Sequence, residues 1–354
     1  MIHLKHPMKL KSINFDGWTN IQSGYGIVSL EYPVALQRLG VDVSREWERK
    51  EHILAGSWDI LTEEQKTFLS KPFKKEKVGI IKTTPEMFYK CTNEFRIGYT
   101  MVENTKIGEK WKNWCNQMNM IMVPSEYLID VFKESGVTKP IISVRQGIDS
   151  KKFPYIERRP QRKFIFGTVG YQDDRKNWKD LVTAFCSEFN QNEPVELWIK
   201  NTNGYWNHTS FSDSRIKVIN RMYTFEEVQR LYAYFDCFVF PSHAEGSGLP
   251  PREAMGTGLP VILTNWSGLT EIADESISYP LTPVAIDYPD VRGVEQPGFM
   301  ARIDVTELMY WMRWVYEHPT EAKIKGKKAS EFVHKNYSWD SCAADMVQKL
   351  EEVL

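Results

Sequence analysis

A chain of 354 residues exceeds what one hydrophobic core usually organises, so two domains are expected, and 42% hydrophobic residues suffice to fill them. With 45 basic against 46 acidic residues, no bulk charge recruits nucleic acid or a membrane surface. Five scattered cysteines argue for free thiols rather than a disulfide framework; with no apolar leader and no stretch approaching a membrane span, a cytoplasmic protein is expected.

Leu10 to Gly17 (LKSINFDG) reads as a first strand. The loop WTNIQSGYG follows, then an amphipathic helix from about Ile27 to Leu39, stopped by Gly40. Strand, glycine loop and helix in that order point backbone amides at a ligand, which singles out Gly24 and Gly26. VDVS (Val41 to Ser44), ILAG (Ile53 to Gly56) and VGIIKT (Val78 to Thr83) are further strand candidates. The basic tract KPFKKEK (Lys71 to Lys77) reads as a solvated loop, with contact to a lipid headgroup or a phosphate backbone as the alternative. Residues 1–156 carry a net charge of +5 and the remainder −6, which favours an anionic partner for the first part if it is more than surface variation.

FRIGYTMVEN (Phe95 to Asn104) is an apolar strand with a polar tip, where Thr100 and Glu103 stand. Strand carboxyl ends are where open α/β sheets hold ligands. MNMIMVPSEYLIDVFKESGV then reads as strand, helix and terminating glycine, with Ser125 as the helix N-cap and Leu128 to Phe132 on its buried face. The stretch VRQGIDSKKF ends the first domain.

The second domain opens with FIFGTVG, a short buried strand, and a helix from Asp180 to Phe189, with Arg175 and Lys176 between them at the strand's carboxyl end. VELWIK (Val195 to Lys200) is another strand, and RIKVINRMYTFEEVQRLYAYFD supplies a strand, a turn and a helix. Asp236 to Ile272 then alternates brief apolar runs with breakers. CFVF and LPVIL are strands, and a two-turn helix lies between them, opened by Pro250 and Pro251 and closed by Gly256 and Gly258. Gly246 and Gly248 precede that helix, so amides and helix dipole converge on one point suited to phosphate. Glu245 and Glu253 flank it, and carboxylates there suit sugar hydroxyls. From Tyr279 to Asp304 the chain is proline-rich and reads as irregular; a helix begins near Val305, and its aromatics MYWMRWVYEH are read as packing.

PSHAEGSGLPPREAMGTGLPVI, followed by GLTEI, resembles the signature of retaining GT-B glycosyltransferases of the GT4 type, glycosyl transferases group 1. The resemblance implies an α/β GT-B fold, two Rossmann-like doubly wound domains facing a cleft. Its domains fall at residues 1–156 on the acceptor side and 157–335 on the nucleotide-sugar side, with a helix at 336–354 crossing back to the first. It implies transfer of a sugar from a UDP- or GDP-linked donor with retention, without a metal or other cofactor, to an unidentified acceptor such as a saccharide or glycolipid. Glu245, Lys176, Arg175 and Glu103 are the implied catalytic residues. Gly24, Gly26, Lys176, Met222, Tyr223, Gly246, Ser247, Gly248, Leu249 and Glu253 are the implied donor-binding residues, with Arg221 to Tyr223 at the base and Glu253 on the ribose. The sequence departs from the family pattern at Gly170, where an Arg is usual, at Ser247, where Phe is common, and near Thr100, where a histidine is absent. Alternatives are another GT-B enzyme such as an epimerase or phosphorylase, a non-catalytic sugar-nucleotide-binding subunit, and a transferase whose acceptor is a modified DNA base or a protein.

Overall fold

The computed structural model describes residues 9–20, 23–47, 58–158, 161–202, 211–221, 223–289 and 296–354. The chain divides into two compact units. The first comprises residues 1–147, 291–298 and 337–354, and the second residues 148–290 and 299–336.

The first unit is built on six parallel strands: β1 (Ser12–Gly17), β2 (Asp42–Ser44), β3 (Val78–Lys82), β4 (Phe95–Tyr99), β5 (Met120–Val123) and β6 (Ile141–Ser143), in the order β2-β1-β3-β4-β5-β6. Helices α1 (Gly24–Arg38), α2 (Glu63–Ser70), α3 (Glu109–Cys115) and α4 (Glu126–Glu134) connect them. The central strands carry apolar residues on both faces, as a parallel sheet covered on both sides requires. Ile13, Phe15, Ile80, Ile97 and Tyr99 enter one buried cluster, and Ile81, Ile121 and Val123 the other. α1 starts three residues before the expected Ile27 because Ser23 accepts from the amide of Gly26 and caps it there. Ser125 occupies the N-cap of α4 but makes no side-chain cap bond, contrary to the expected role. The ILAG segment lies outside the described residues. The KPFKKEK tract is pinned to the sheet, since the Lys74 carbonyl accepts from Asn14 and Ser44 and the Glu76 amide donates to Asn14.

The second unit carries β7 (Phe164–Gly170), β8 (Val195–Asn201), β9 (Ile216–Ile219), β10 (Cys237–Phe240), β11 (Val261–Thr264) and β12 (Tyr279–Leu281), again parallel, in the order β12-β11-β10-β7-β8-β9. Around them stand α5 (Trp178–Glu188), α6 (Phe225–Tyr234), α7 (Leu249–Gly256), α8 (Val305–Glu317) and α9 (Pro319–Asn336). The segment read as irregular contains, besides β12, an antiparallel pair, β13 (Pro283–Pro289) and β14 (Phe299–Ile303). Proline cannot donate to a ladder, which obscures the strand in the sequence; a two-stranded edge with register shifts tolerates it. Residues 148–156 belong with this unit although the sequence places the boundary at 156: Ile156 donates to the Thr257 carbonyl, and Phe153 meets Tyr232 edge-on.

The last helix, α10 (Trp339–Val353), packs within the first unit, where Trp339 meets Tyr32 edge-on and Arg38 pairs with Asp340. Among the described residues, no helix is long and apolar enough to cross a membrane. All five cysteines are free thiols, and Cys186 is the exposed one.

Candidate active site

In the second sheet the chain runs outward through β7, β8 and β9, then returns to place β10 on the other side of β7. The carboxyl ends of β7 and β10 therefore form a topological switch point, where open α/β sheets leave a crevice. Two short segments meet there. After β7, Asp173 accepts from the Arg175 amide and holds a tight turn over Asp174–Lys176, which Asn177 ends in the left-handed region at φ 54°. After β10, His243 donates its amide to the Arg175 carbonyl at 2.7 Å.

This docking brings together three charges that sequence alone could not join. Arg175 Nη1 lies 2.7 Å and Lys176 Nζ 2.5 Å from the same Glu245 oxygen, Oε1. Ser242 Oγ is 2.7 Å from that oxygen, and Arg175 also donates to the Ala244 carbonyl at 2.6 Å. All three charged side chains are buried. Burial alone would raise the Glu245 pKa; the Arg175 and Lys176 charges outweigh it and hold the carboxyl down at about 2. The cluster is thus a fixed anion between two cations, net positive by one charge. Gly170, where an arginine was expected, faces Lys176 Cε at 3.5 Å from the point a Cβ would occupy. Arg175, five positions further on, sets its guanidinium against Glu245.

The glycine loop is braced from beneath. Gly248 adopts φ +84°, a conformation that side chains resist, and serves as N-cap of α7. Gly268 donates its amide to the Glu245 carbonyl, and a Cβ on Gly268 would stand 2.3 Å from the Gly246 carbonyl oxygen. Ser267 Oγ accepts from the Glu245 amide at 2.8 Å. The sequence reading missed Arg252, whose guanidinium is fully buried. It donates to the carbonyls of Ser247, Gly248 and Gly268 and pairs with Glu271 at 3.2 Å. The signal available in the sequence was the PPR triplet itself, a charge placed inside an apolar helix turn.

Pro250 and Pro251 have no N–H, so the helix start offers fewer donors than helix geometry alone suggests. The donors that remain are the amides of Gly246, Ser247, Gly248 and Leu249, all buried and none bonded to an acceptor among the described residues. Buried amides are almost always satisfied, so a run of four without acceptors describes a cradle for an anion.

Glu253 lies on the second turn of α7. It accepts from the Tyr232 hydroxyl at 2.9 Å, while burial raises its pKa to about 7 despite that bond and the Lys152 charge. It retains a sliver of surface, yet the surrounding protein strips most of its water. The structure thus places Glu245 with the cations and Glu253 with Tyr232, in separate settings.

At the tip of β8, the Lys200 ammonium stands 4.8 Å from the Tyr223 ring centre, and the Arg221 guanidinium 4.3 Å from it. Burial and the Arg221 charge lower the Lys200 pKa to about 8. Met222, expected beside the base, lies outside the described residues.

The remaining predicted positions belong to the first unit. Gly24 opens α1, and Gly26 sits so close to Asn20 that a Cβ would fall 1.8 Å from its carbonyl oxygen. Glu103 follows β4 and acts electrostatically on Lys82 at the end of β3. Among the described residues, no group of three His, Cys, Asp or Glu side chains is placed to hold a metal ion.

Residues 163–286 match the family described as Glycosyl transferases group 1. A stretch of 51 residues is 43% identical to O-antigen chain mannosyltransferase B of Escherichia coli, covering 14% of this chain and 13% of that protein. The fold matches sucrose-phosphate synthase from Thermosynechococcus elongatus with a TM-score of 0.70 at 16% identity, over 97% of this chain and 99% of that one. It matches Anabaena HepE, solved in complex with UDP-glucose, with a TM-score of 0.68 at 12% identity, over 97% of this chain and all of the other.

Proposed function

We propose that this chain, whose residues 163–286 match glycosyl transferases group 1, is a retaining transferase that takes a sugar from a UDP- or GDP-linked donor without a metal. The observation that carries the reading is the Arg175–Lys176–Glu245 cluster at the switch point, alongside four unfilled amides at Gly246 to Leu249.

In such a transfer the bond from the anomeric carbon to the diphosphate breaks, and the leaving diphosphate gains negative charge. Lys176 and Arg175 meet that charge from a buried setting, where fixed dipoles and cations act strongly and need no reorganisation. Glu245 keeps the two cations together before the donor arrives; without it they would repel one another. The amides at 246–249 receive phosphate oxygens. Glu253, turned toward Tyr232, holds ribose hydroxyls, and its half-neutral state near pH 7 lets it accept or donate in doing so. Tyr223 stands beside the base. The acceptor is a saccharide or glycolipid.

The test is a thermal-shift panel of UDP, GDP, ADP, CMP and the common UDP- and GDP-sugars, with and without EDTA. A ligand that binds only the folded state raises the melting point with concentration. One base is expected to give a clear shift that EDTA leaves unchanged, weakened by Lys176→Met and by Glu253→Ala. No shift with any nucleotide would overturn the proposal.

A further inference from the structure

In the first sheet the chain passes from β1 out to β2 and returns to β3, which makes β1 and β3 its switch point. The carboxyl ends of β3 to β6 carry a set of side-chain atoms that the protein leaves unserved. Lys82 Nζ, Thr83 Oγ1, Thr100 Oγ1, Ser125 Oγ and Gln146 Nε2 are all buried, and none has a hydrogen-bond partner among the described residues. Lys82, Thr83, Thr100 and Ser125 are fully buried, and Gln146 is 2% exposed. Such orphans are rare one at a time, because each costs about 1–3 kcal/mol when left unmet. These five stand at the carboxyl ends of four adjacent strands, β3 to β6.

The chemistry of the set indicates what fills it. Lys82 offers an ammonium, Gln146 an amide N–H, and the three hydroxyls can each turn a proton outward. The set holds no carboxylate. A neutral sugar hydroxyl must itself donate, and is best met by carboxylates; a phosphate brings only acceptor oxygens and suits a donor-rich recess. Among the described residues the Lys82 ammonium stands over two aromatic faces, 3.9 Å from the Tyr25 ring centre and 4.5 Å from that of Tyr99. Burial takes its pKa down to about 7, with Glu103 opposing, so the site as it stands costs the amine its charge. An incoming phosphate would restore it.

We propose that the first unit binds an acceptor bearing a phosphate group, which Lys82 receives together with the Thr83, Thr100, Ser125 and Gln146 side chains at the carboxyl ends of β3 to β6. The acceptor role rests on the transferase reading above, whereas phosphate capture by Lys82 does not. The source of the phosphate is a soluble sugar phosphate or a phospholipid headgroup, and the two are separable.

The experiment is calorimetric titration of the full chain with its nucleotide site first filled by UDP or GDP, whichever the thermal-shift panel selects, so that added phosphate reports on the first unit. The probes are glucose 6-phosphate, glucose, and phosphatidylcholine vesicles with and without phosphatidic acid. One phosphomonoester probe, glucose 6-phosphate or phosphatidic acid, is expected to bind at least roughly tenfold more tightly than its counterpart without the monoester, glucose or phosphatidylcholine alone, a difference of about 1.4 kcal/mol. Lys82→Met is expected to abolish that preference while leaving the nucleotide response intact. Thr100→Val, which keeps the lysine, is expected to reduce it in part, and serves if the first variant fails to fold. Preference for the sugar phosphate assigns a saccharide, and preference for phosphatidic acid a lipid. Equal binding of both members of each pair by the wild type overturns the proposal, as does a preference that survives in Lys82→Met. If neither UDP nor GDP gives a response, the donor reading falls separately, and the same comparison on nucleotide-free protein still decides the role of Lys82.

Discussion

Replacing Glu245 by glutamine should expose how much of the second unit's stability resides in its charge cluster. The substitution keeps the shape of the side chain and removes the anion between Arg175 and Lys176, whose nitrogens lie 2.7 and 2.5 Å from one oxygen. Two estimates of the cost agree. Breaking a buried ion pair by removing one partner typically costs about 3–5 kcal/mol. Holding the carboxyl at about 2, against an ordinary 4.5, corresponds to about 3 kcal/mol at 1.36 kcal/mol per unit. The sign follows from the direction: a depressed carboxyl pKa stabilises the fold above the unfolded value and loses that contribution as pH falls through the folded one. The gap between wild type and Glu245→Gln should therefore be about 3 kcal/mol at pH 7, near its full size at pH 5, and less than half at pH 3. Urea denaturation read by tryptophan fluorescence at those three pH values measures it. A gap under about 0.5 kcal/mol at pH 7, the usual scatter of surface substitutions, would refute the reasoning. A gap that does not shrink in acid would also refute it.

Glu253 has the opposite sign. Its raised pKa means that stability is lost as pH climbs from about 4.5 through about 7, so nucleotide-free Glu253→Gln should overtake the wild type and level off about 3 kcal/mol ahead above pH 7, as read by urea midpoints. Arg252→Met cuts the ties to three loop carbonyls and Glu271, and should cost at least about 3 kcal/mol in the same assay. Gly268→Ala drives a methyl to 2.3 Å from the Gly246 oxygen and displaces the amide cradle; calorimetry should show affinity for the nucleotide that the thermal-shift panel selects falling roughly tenfold or more.

Much of the fold was legible because its signals are local. CFVF, FIFGTVG and VGIIK are short apolar runs bounded by breakers, and a strand buried on both faces needs nothing else to announce itself. Glycine and proline positions located α7, since φ constraints belong to single residues. The antiparallel pair at Pro283–Pro289 and Phe299–Ile303 was lost because proline masks strand pattern.

The site divides along the same line. The motif placed Glu245, Gly246 and Gly248 together because their chemistry is written in consecutive residues, and the family resemblance added Lys176. That Arg175 and Lys176 share one oxygen of Glu245 depends on two strands being neighbours at a switch point, a relation between segments 69 residues apart. The role of Arg252 depends on carbonyls from a separate loop, at Gly268. The orphaned Lys82 was unreadable for a further reason: an unmet hydrogen bond is a statement about every neighbour, and neighbours are assigned when the chain folds. Sequence carries periodicity and backbone permission; burial, partnership and the proton affinities that follow from them arise when distant segments share one desolvated space.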